Sequence, residues 1–101
     1  MDDEYVEQVL SIVEAVPPGR VTTYGLIAEA VGRGGARQVG AVMAAYGGPV
    51  PWWRVVRADG SLPDSHVPEA HQEYLAEGTP LRSSGAVDIA AAVWLPAETD
   101  G

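Results

Sequence analysis

Residues Thr23–Tyr46 read TYGLIAEAVGRGGARQVGAVMAAY, and this stretch decides the fold. Thr23 suits an N-cap, because its hydroxyl can accept from a backbone N–H left free in a first helical turn. Behind it, Tyr24, Ile27, Ala28 and Val31 recur at three- and four-residue steps, the spacing of one helix face. That predicts a helix over 24–31. Gly32 can take the left-handed position that ends a helix, and Gly32-Arg33-Gly34-Gly35 makes a tight turn. A second set, Val39, Val42, Met43 and Tyr46, predicts a helix over 36–46, with Gly40 and Ala41 leaving part of its surface smooth. Helix, glycine turn, helix is the outline of a helix-turn-helix unit, whose second helix meets DNA in the proteins that use it so. Arg37 falls on the first turn of that second helix, beside small residues. Such helix pairs also occur in proteins with no DNA role.

Outward from this unit the chain stays legible. Val6, Val9, Leu10 and Val13 predict an amphipathic helix over 3–15, capped by Asp2 or Asp3 and stopped by Val16-Pro17-Pro18-Gly19. Arg20-Val21-Thr22 reads as a short extended link. Downstream, Trp53 to Val56 reads as a strand, Asp59-Gly60 as a hairpin turn, and Ser61-Leu62 as the returning arm, a small wing. Pro68 opens a fourth helix with Ala70, Tyr74 and Leu75 inward and Gly78 past its end. Val87-Asp88-Ile89 starts either a short strand or a helix capped by Asp88, anchored by Trp94, and Asp100-Gly101 is expected to fray. The expected fold class is mostly α: a winged helix-turn-helix-like domain with a small β-hairpin, one domain over residues 1–101.

Composition narrows the function. The chain has 101 residues, no Cys and no Phe. Without cysteine there is no disulfide framework, no thiolate zinc site and no cysteine nucleophile. His66 and His71 alone do not make a metal site, so no metal or cofactor is expected. The apolar runs are too short to span a bilayer, and Met1-Asp2-Asp3-Glu4 is no secretory leader, so a cytoplasmic protein without membrane contact is expected. The formal net charge is −8, which argues against nucleic acid. Its distribution argues the other way. Between Arg20 and Arg57 lie five arginines (20, 33, 37, 54 and 57) and one acid, Glu29, a local net of +4. A basic middle with acidic ends is the footprint of a focused anionic partner, or a chance clustering of a few arginines.

No catalytic set emerges. There is no GxSxG, and the glycine turn lacks the lysine and preceding strand of a phosphate loop. Glu69 and Glu73 at helical spacing read as a solvated face. The unusual feature is Pro51-Trp52-Trp53-Arg54-Val55. Successive side chains of an extended segment point to opposite sides, so two adjacent Trp cannot both face inward. One is expected at a surface or pocket, where a flat aromatic can stack on a nucleobase; the alternative splits the pair between two small cores.

Four motifs in order resemble the C-terminal DNA-binding domain of the O6-alkylguanine-DNA alkyltransferases. They are Pro17-Pro18-Gly19-Arg20-Val21, Thr23-Tyr24-Gly25, Ala36-Arg37-Gln38-Val39-Gly40 and Pro51-Trp52-Trp53-Arg54-Val55. The similarity runs more loosely to Gly78, about three quarters of the chain. Where those enzymes carry the alkyl-accepting Cys, this chain has Trp52, which resembles the non-enzymatic alkyltransferase-like branch. Trp53 stands where most members keep His. In the enzymes that His links the Cys to a Glu through a water; Glu77 resembles the matching Glu, so the relay is doubly broken. Two further segments depart from the enzymes: Tyr46-Gly47-Gly48 near the hinge, and Leu62 to Pro68 in place of a glycine-rich pocket loop.

The resemblance implies a lesion sensor. It binds double-stranded DNA containing O6-alkylguanine through the minor groove, flips the damaged nucleotide into the old active-site pocket, and flags it for nucleotide excision repair proteins. Extrusion is easiest for a damaged, poorly paired base. On this pattern Tyr24 helps rotate the phosphate, Arg37 fills the gap in the stack, and Trp52 lies against the flipped base. Ala36 and Gly40 lie on the DNA-facing helix. Trp53, Arg54 and Val55 complete the pocket motif, with Arg54 also readable as structural. Arg20, Arg33 and Arg57 are phosphate-contact candidates. A monomer is expected. The competing readings are a winged helix-turn-helix transcription regulator and a protein-interaction module without lesion specificity.

Overall fold

The computed structural model describes residues 2–63 and 66–96. Helix α1 spans Asp3–Ala15 and is capped by Asp2, whose Oδ1 accepts from the Glu4 N–H at 2.9 Å and the Tyr5 N–H at 3.4 Å. Strand β1 is Thr22–Thr23. Helix α2 spans Tyr24–Val31, with Thr23 as N-cap accepting from the Leu26 N–H at 3.1 Å. Gly32 ends it at φ 87°, a left-handed conformation in which a side chain would be strained. Helix α3 spans Ala36–Tyr46. A 3₁₀ turn, Trp52–Arg54, leads into strand β2, Val55–Val56. Helix α4 spans Val67–Glu77 and a short α5 spans Ile89–Ala92, with Asp88 at its N-cap position.

Helices α1, α2 and α3 pack on one another around Tyr5, Val9, Val13, Ile27, Ala28, Val39, Val42, Val50 and Val55. Four of these nine side chains belong to the stripes over α1 and α3, and all of them are excluded from water, which stabilises each by roughly 1.5–3 kcal/mol for a Val-sized group. Tyr5, absent from the expected stripe, is buried at the start of α1 under the Arg33 guanidinium, 5.3 Å from its ring centre. Tyr46 is a correction: it is 49% exposed, as the last residue of α3, one turn beyond the fully buried Val42. Leu75 is another, 66% exposed. Ala70 and Tyr74, four apart, make the inward face of α4, and Leu75 is one step round the helix from it.

A second, smaller core gathers Val21, Val56, Ala70, Tyr74, Val87 and Ala92, with Trp52, Trp53 and Leu62 packed against it. Its sheet corrects the expected hairpin. Strand β2 runs parallel to β1, with Thr22 opposite Val55 and Thr23 opposite Val56. Val55 and Val56 are both fully buried, as in parallel strands covered on two faces, whereas a wing needs one wet face. The turn at Asp59-Gly60 does form: the Gly60 N–H donates to Arg57 O, and the Arg57 N–H to Ser61 O, both at 2.8 Å. The returning arm then leaves. Gly60 packs so closely on Val87 O that a Cβ would lie 2.2 Å from that oxygen, and the Val87 N–H donates back to Gly60 O at 3.1 Å. The segment after α4 therefore occupies the space a wing would take.

That segment is the least legible part of the chain. Leu81 and Val87 form an antiparallel bridge, then Asp88 starts α5, so both readings of Val87–Ile89 hold in part. Val21 donates to Ala92 O at 3.0 Å and accepts from the Trp94 N–H at 2.7 Å, which covers the free edge of β1. Trp94 is buried as expected. Asp100-Gly101 lies outside the described residues. No described helix is long and apolar enough to cross a membrane, and no group of three potential metal ligands occurs among the described residues.

Candidate nucleic-acid interface

The face of α3 turned away from the first core carries Ala36, Gly40 and Ala44, four residues apart. They line an open cleft of about 790 Å³, within the size range of small-molecule sites. A Cβ at Gly40 would meet nothing within 4 Å, so this helix surface is smooth and accessible. Arg37 stands on the first turn of α3, exposed at the cleft rim. The Gln38 side chain reaches back to the Gly35 N–H at 2.9 Å and fixes that turn.

Tyr24 enters the cleft from the first turn of α2, half-buried. Burial pushes its phenol above the ordinary range, and the nearby Arg57 charge offsets this only in part, so it stays a protonated donor at neutral pH. Arg57, the residue after β2, also lines the cleft, as does His66 at the start of α4. No carboxylate occurs among the described lining residues.

Trp52 forms the end wall. It packs against the second core and lines the cleft at once. Its ring meets Trp53 edge-on, with centres 5.6 Å apart and planes at 86°. On another side His66 lies 5.5 Å away, tilted by 56°. The 3₁₀ turn explains why adjacent Trp residues part company: Trp52 goes to the cleft, Trp53 goes behind it.

Of the five residues expected to form the pocket, Trp52 and Tyr24 line it, while Trp53, Arg54 and Val55 do not. Val55 is fully buried in the first core, because its strand is covered on both sides. Trp53 and Arg54 converge instead on Glu77. Trp53 Nε1–H donates to Glu77 Oε2 at 3.1 Å. Arg54 grips the same carboxylate through Nε at 3.1 Å and Nη2 at 2.5 Å, and donates from Nη1 to Val16 O at 2.9 Å. The Gly19 N–H donates to Glu77 Oε1 at 3.2 Å. Four donors on two oxygens saturate a carboxylate. Burial alone would raise the Glu77 acid, yet the Arg54 hydrogen bonds, with Gly19 and Trp53, hold it below its ordinary value of 4.5.

From sequence, Glu77 is only half of a broken relay. The missing signal is that Trp, like His, has a ring N–H, and that Arg54 two residues after Trp52 can reach the same acid. Tyr74 completes the cluster: its hydroxyl donates to Trp53 O at 2.5 Å, and burial pushes its phenol far up, with Tyr24 and Glu77 adding to the shift.

The remaining phosphate candidates separate. Arg20 is committed to the chain itself, donating to Ala92 O at 3.0 Å and to Val93 O. Arg33 pairs with Asp2 at 3.0 Å, with both side chains about half exposed. Arg37 and Arg57 are the two arginines on the cleft. Leu62, Pro63 and His66 line the cleft, from the segment that the sequence sets in place of the enzymes' pocket loop, although the sequence does not single out His66 itself.

Residues 4–78 match the family described as 6-O-methylguanine DNA methyltransferase, DNA binding domain. The DNA base-flipping protein of Escherichia coli is 39% identical over 98 residues, covering 92% of this chain and 76% of that protein. The DNA base-flipping protein of Vibrio parahaemolyticus is 31% identical over 99 residues, covering 93% and 99%. The structure of S. pombe Atl1 in complex with damaged DNA containing O6-carboxymethylguanine superposes with a TM-score of 0.79 at 30% identity, covering 93% of this chain and 97% of that one. The chain therefore belongs to the 6-O-methylguanine DNA methyltransferase DNA-binding domain family, on its alkyltransferase-like branch.

Proposed function

We propose that this protein is a non-catalytic base-flipping sensor of O6-alkylguanine in double-stranded DNA. The observation that carries the reading is the convergence of Tyr24, Arg37 and Trp52 on one cleft beside the small-residue face of α3, with no carboxylate among its described lining residues. Ala36, Gly40 and Ala44 let a duplex approach the helix closely. On this reading Arg37 enters the stack at the position a base vacates, and Tyr24 donates to the phosphate of the rotated nucleotide. An extruded guanine then lies against Trp52; base–aromatic stacking is worth about 1–3 kcal/mol and returns part of the unstacking cost.

Transfer of the alkyl group needs a nucleophile. The chain has no cysteine, and the indole at position 52 is no substitute. Behind it, the Glu77 oxygens are engaged by four donors, so no free acceptor there faces an attacking atom. A bound lesion that cannot be reversed in place needs a second activity to remove it. We extend the reading accordingly to a monomer that marks the site for nucleotide excision repair proteins.

Binding to two short duplexes, identical except for one O6-methylguanine, tests the reading. Preferential binding of the modified duplex, with the alkyl group retained on the DNA, is expected. Equal binding would overturn lesion recognition and favour a regulator of undamaged DNA. Label transferred to the protein would overturn the non-catalytic assignment.

A further inference from the structure

We propose that Trp53 is a positioning residue for lesion recognition: Glu77 holds its indole, and that indole fixes the ring of Trp52 at the angle presented to the cleft. The inference rests on the proposed base-flipping function and concerns a residue outside the cleft.

Trp53 is restrained on several sides at once. Its ring N–H is tied to Glu77 Oε2, and the Arg54 guanidinium lies over its face, 5.5 Å from the ring centre. Its carbonyl accepts from the Tyr74 hydroxyl on α4. Glu77 cannot drift, because Arg54 grips it twice and Gly19 once, and both ionic side chains are nearly buried, at 13% and 12% exposure. The edge-on contact then carries this rigidity to Trp52. Edge-to-face rings attract through the positive edge of one and the negative face of the other, so the contact prefers a definite angle.

The chemistry of the substitution points the same way. A histidine at position 53 could donate through one ring nitrogen and accept through the other, which a proton relay needs. An indole has one donor and no acceptor. Trp53 therefore keeps the hydrogen bond to Glu77 and drops the relay. It also adds a large flat surface against which a second Trp can rest. In a protein whose pocket wall is Trp52, a fixed wall angle is worth more than a proton path. A loose Trp52 would lose rotamer freedom on stacking and discriminate less between a lesion and an ordinary base.

Trp53→Phe keeps an aromatic ring and removes the N–H. The experiment compares this variant with the intact protein on the paired duplexes, with circular dichroism as the folding control. We expect the preference for O6-methylguanine to fall about fivefold, the scale of one net hydrogen bond, while affinity for the unmodified duplex stays within about twofold. A merely structural role would lower both affinities together or neither. Unchanged preference, or an equal loss on both duplexes, would overturn the positioning role. If the intact protein itself shows no preference, the proposed function fails instead, so the two failures are distinct. Should Trp53→Phe not fold, the ¹⁵N-indole resonance of Trp53 in the intact protein decides. A shift on adding the modified duplex but not the unmodified one supports the proposal, and the same response to both overturns it.

Discussion

Trp52 and Trp53 are neighbours in the chain and opposites in the structure. Trp52 looks into an open cleft, where the Tyr24 ring, two arginines and a histidine present surface that the protein leaves unfilled. Trp53 sits on a carboxylate whose four acceptor positions are all taken. The first environment is unsatisfied and ready for a ligand; the second is closed and touches no ligand itself. On the proposal above, the pocket wall is built in two layers, an open one offered to the base and a saturated one that holds it still.

The largest effect that could break this comparison is on stability. Glu77→Ala leaves Arg54 nearly buried without its partner, and urea unfolding should show a loss of about 3–5 kcal/mol, the usual result of removing one member of a buried ion pair. A loss below about 1 kcal/mol would mean that water already satisfies Arg54 and that the closed layer is not closed.

Arg37→Ala probes the open layer and should do the reverse. Arg37 is exposed, so stability should stay within about 0.5 kcal/mol. Affinity for the modified duplex should fall about tenfold or more, because the gap in the stack loses its filler. Equal loss on the unmodified duplex would reduce Arg37 to a phosphate contact.

Acid sharpens the contrast further. Glu77 is held ionised below its ordinary value of 4.5, first against the pull of burial and then by Arg54, Gly19 and Trp53. Its contribution is fully present above the unfolded-state value and is lost as pH falls through the lower folded one. Stability should therefore decline from about pH 5 downward. Asp2 and Asp59 are also held low, by the Glu4 N–H and by the Ser61 hydroxyl, but both are exposed. Glu77→Gln should flatten most of the acid slope, and an unchanged slope would assign it elsewhere.

The smallest expected effect belongs to Arg57. Its removal should weaken binding to both duplexes alike and reduce the salt dependence by about one unit of log K against log salt. A change in lesion preference instead would move Arg57 from the rim into the recognition of the base.

The three-helix part of the molecule is legible because its signals are local. Thr23 and Gly32 bracket α2, and the stripes at Val9, Val13, Val39 and Val42 bury as their spacing requires. The expected wing fails because Asp59-Gly60 announces a turn but not the path of the chain beyond it. Whether the chain returns as a strand depends on Val87, far along the sequence, which claims the space against Gly60. The location of the site is legible in Arg37 and Trp52, which both lie on the cleft. It is opaque where use depends on distant partners. Nothing in the neighbourhood of Arg20 ties it to Ala92 and Val93, and nothing beside Trp53 ties it to Glu77.

The central claim is that the cleft receives a base taken out of the helix. A duplex carrying 2-aminopurine beside O6-methylguanine tests it directly, since that fluorophore brightens when its neighbour leaves the stack. We expect a rise on adding the protein to the modified duplex, little change with guanine in the lesion's place, and a smaller rise with Arg37→Ala. Tight, lesion-selective binding with no rise would show that the alkyl group is read inside the stack, and would contradict the stacking of an extruded base on Trp52.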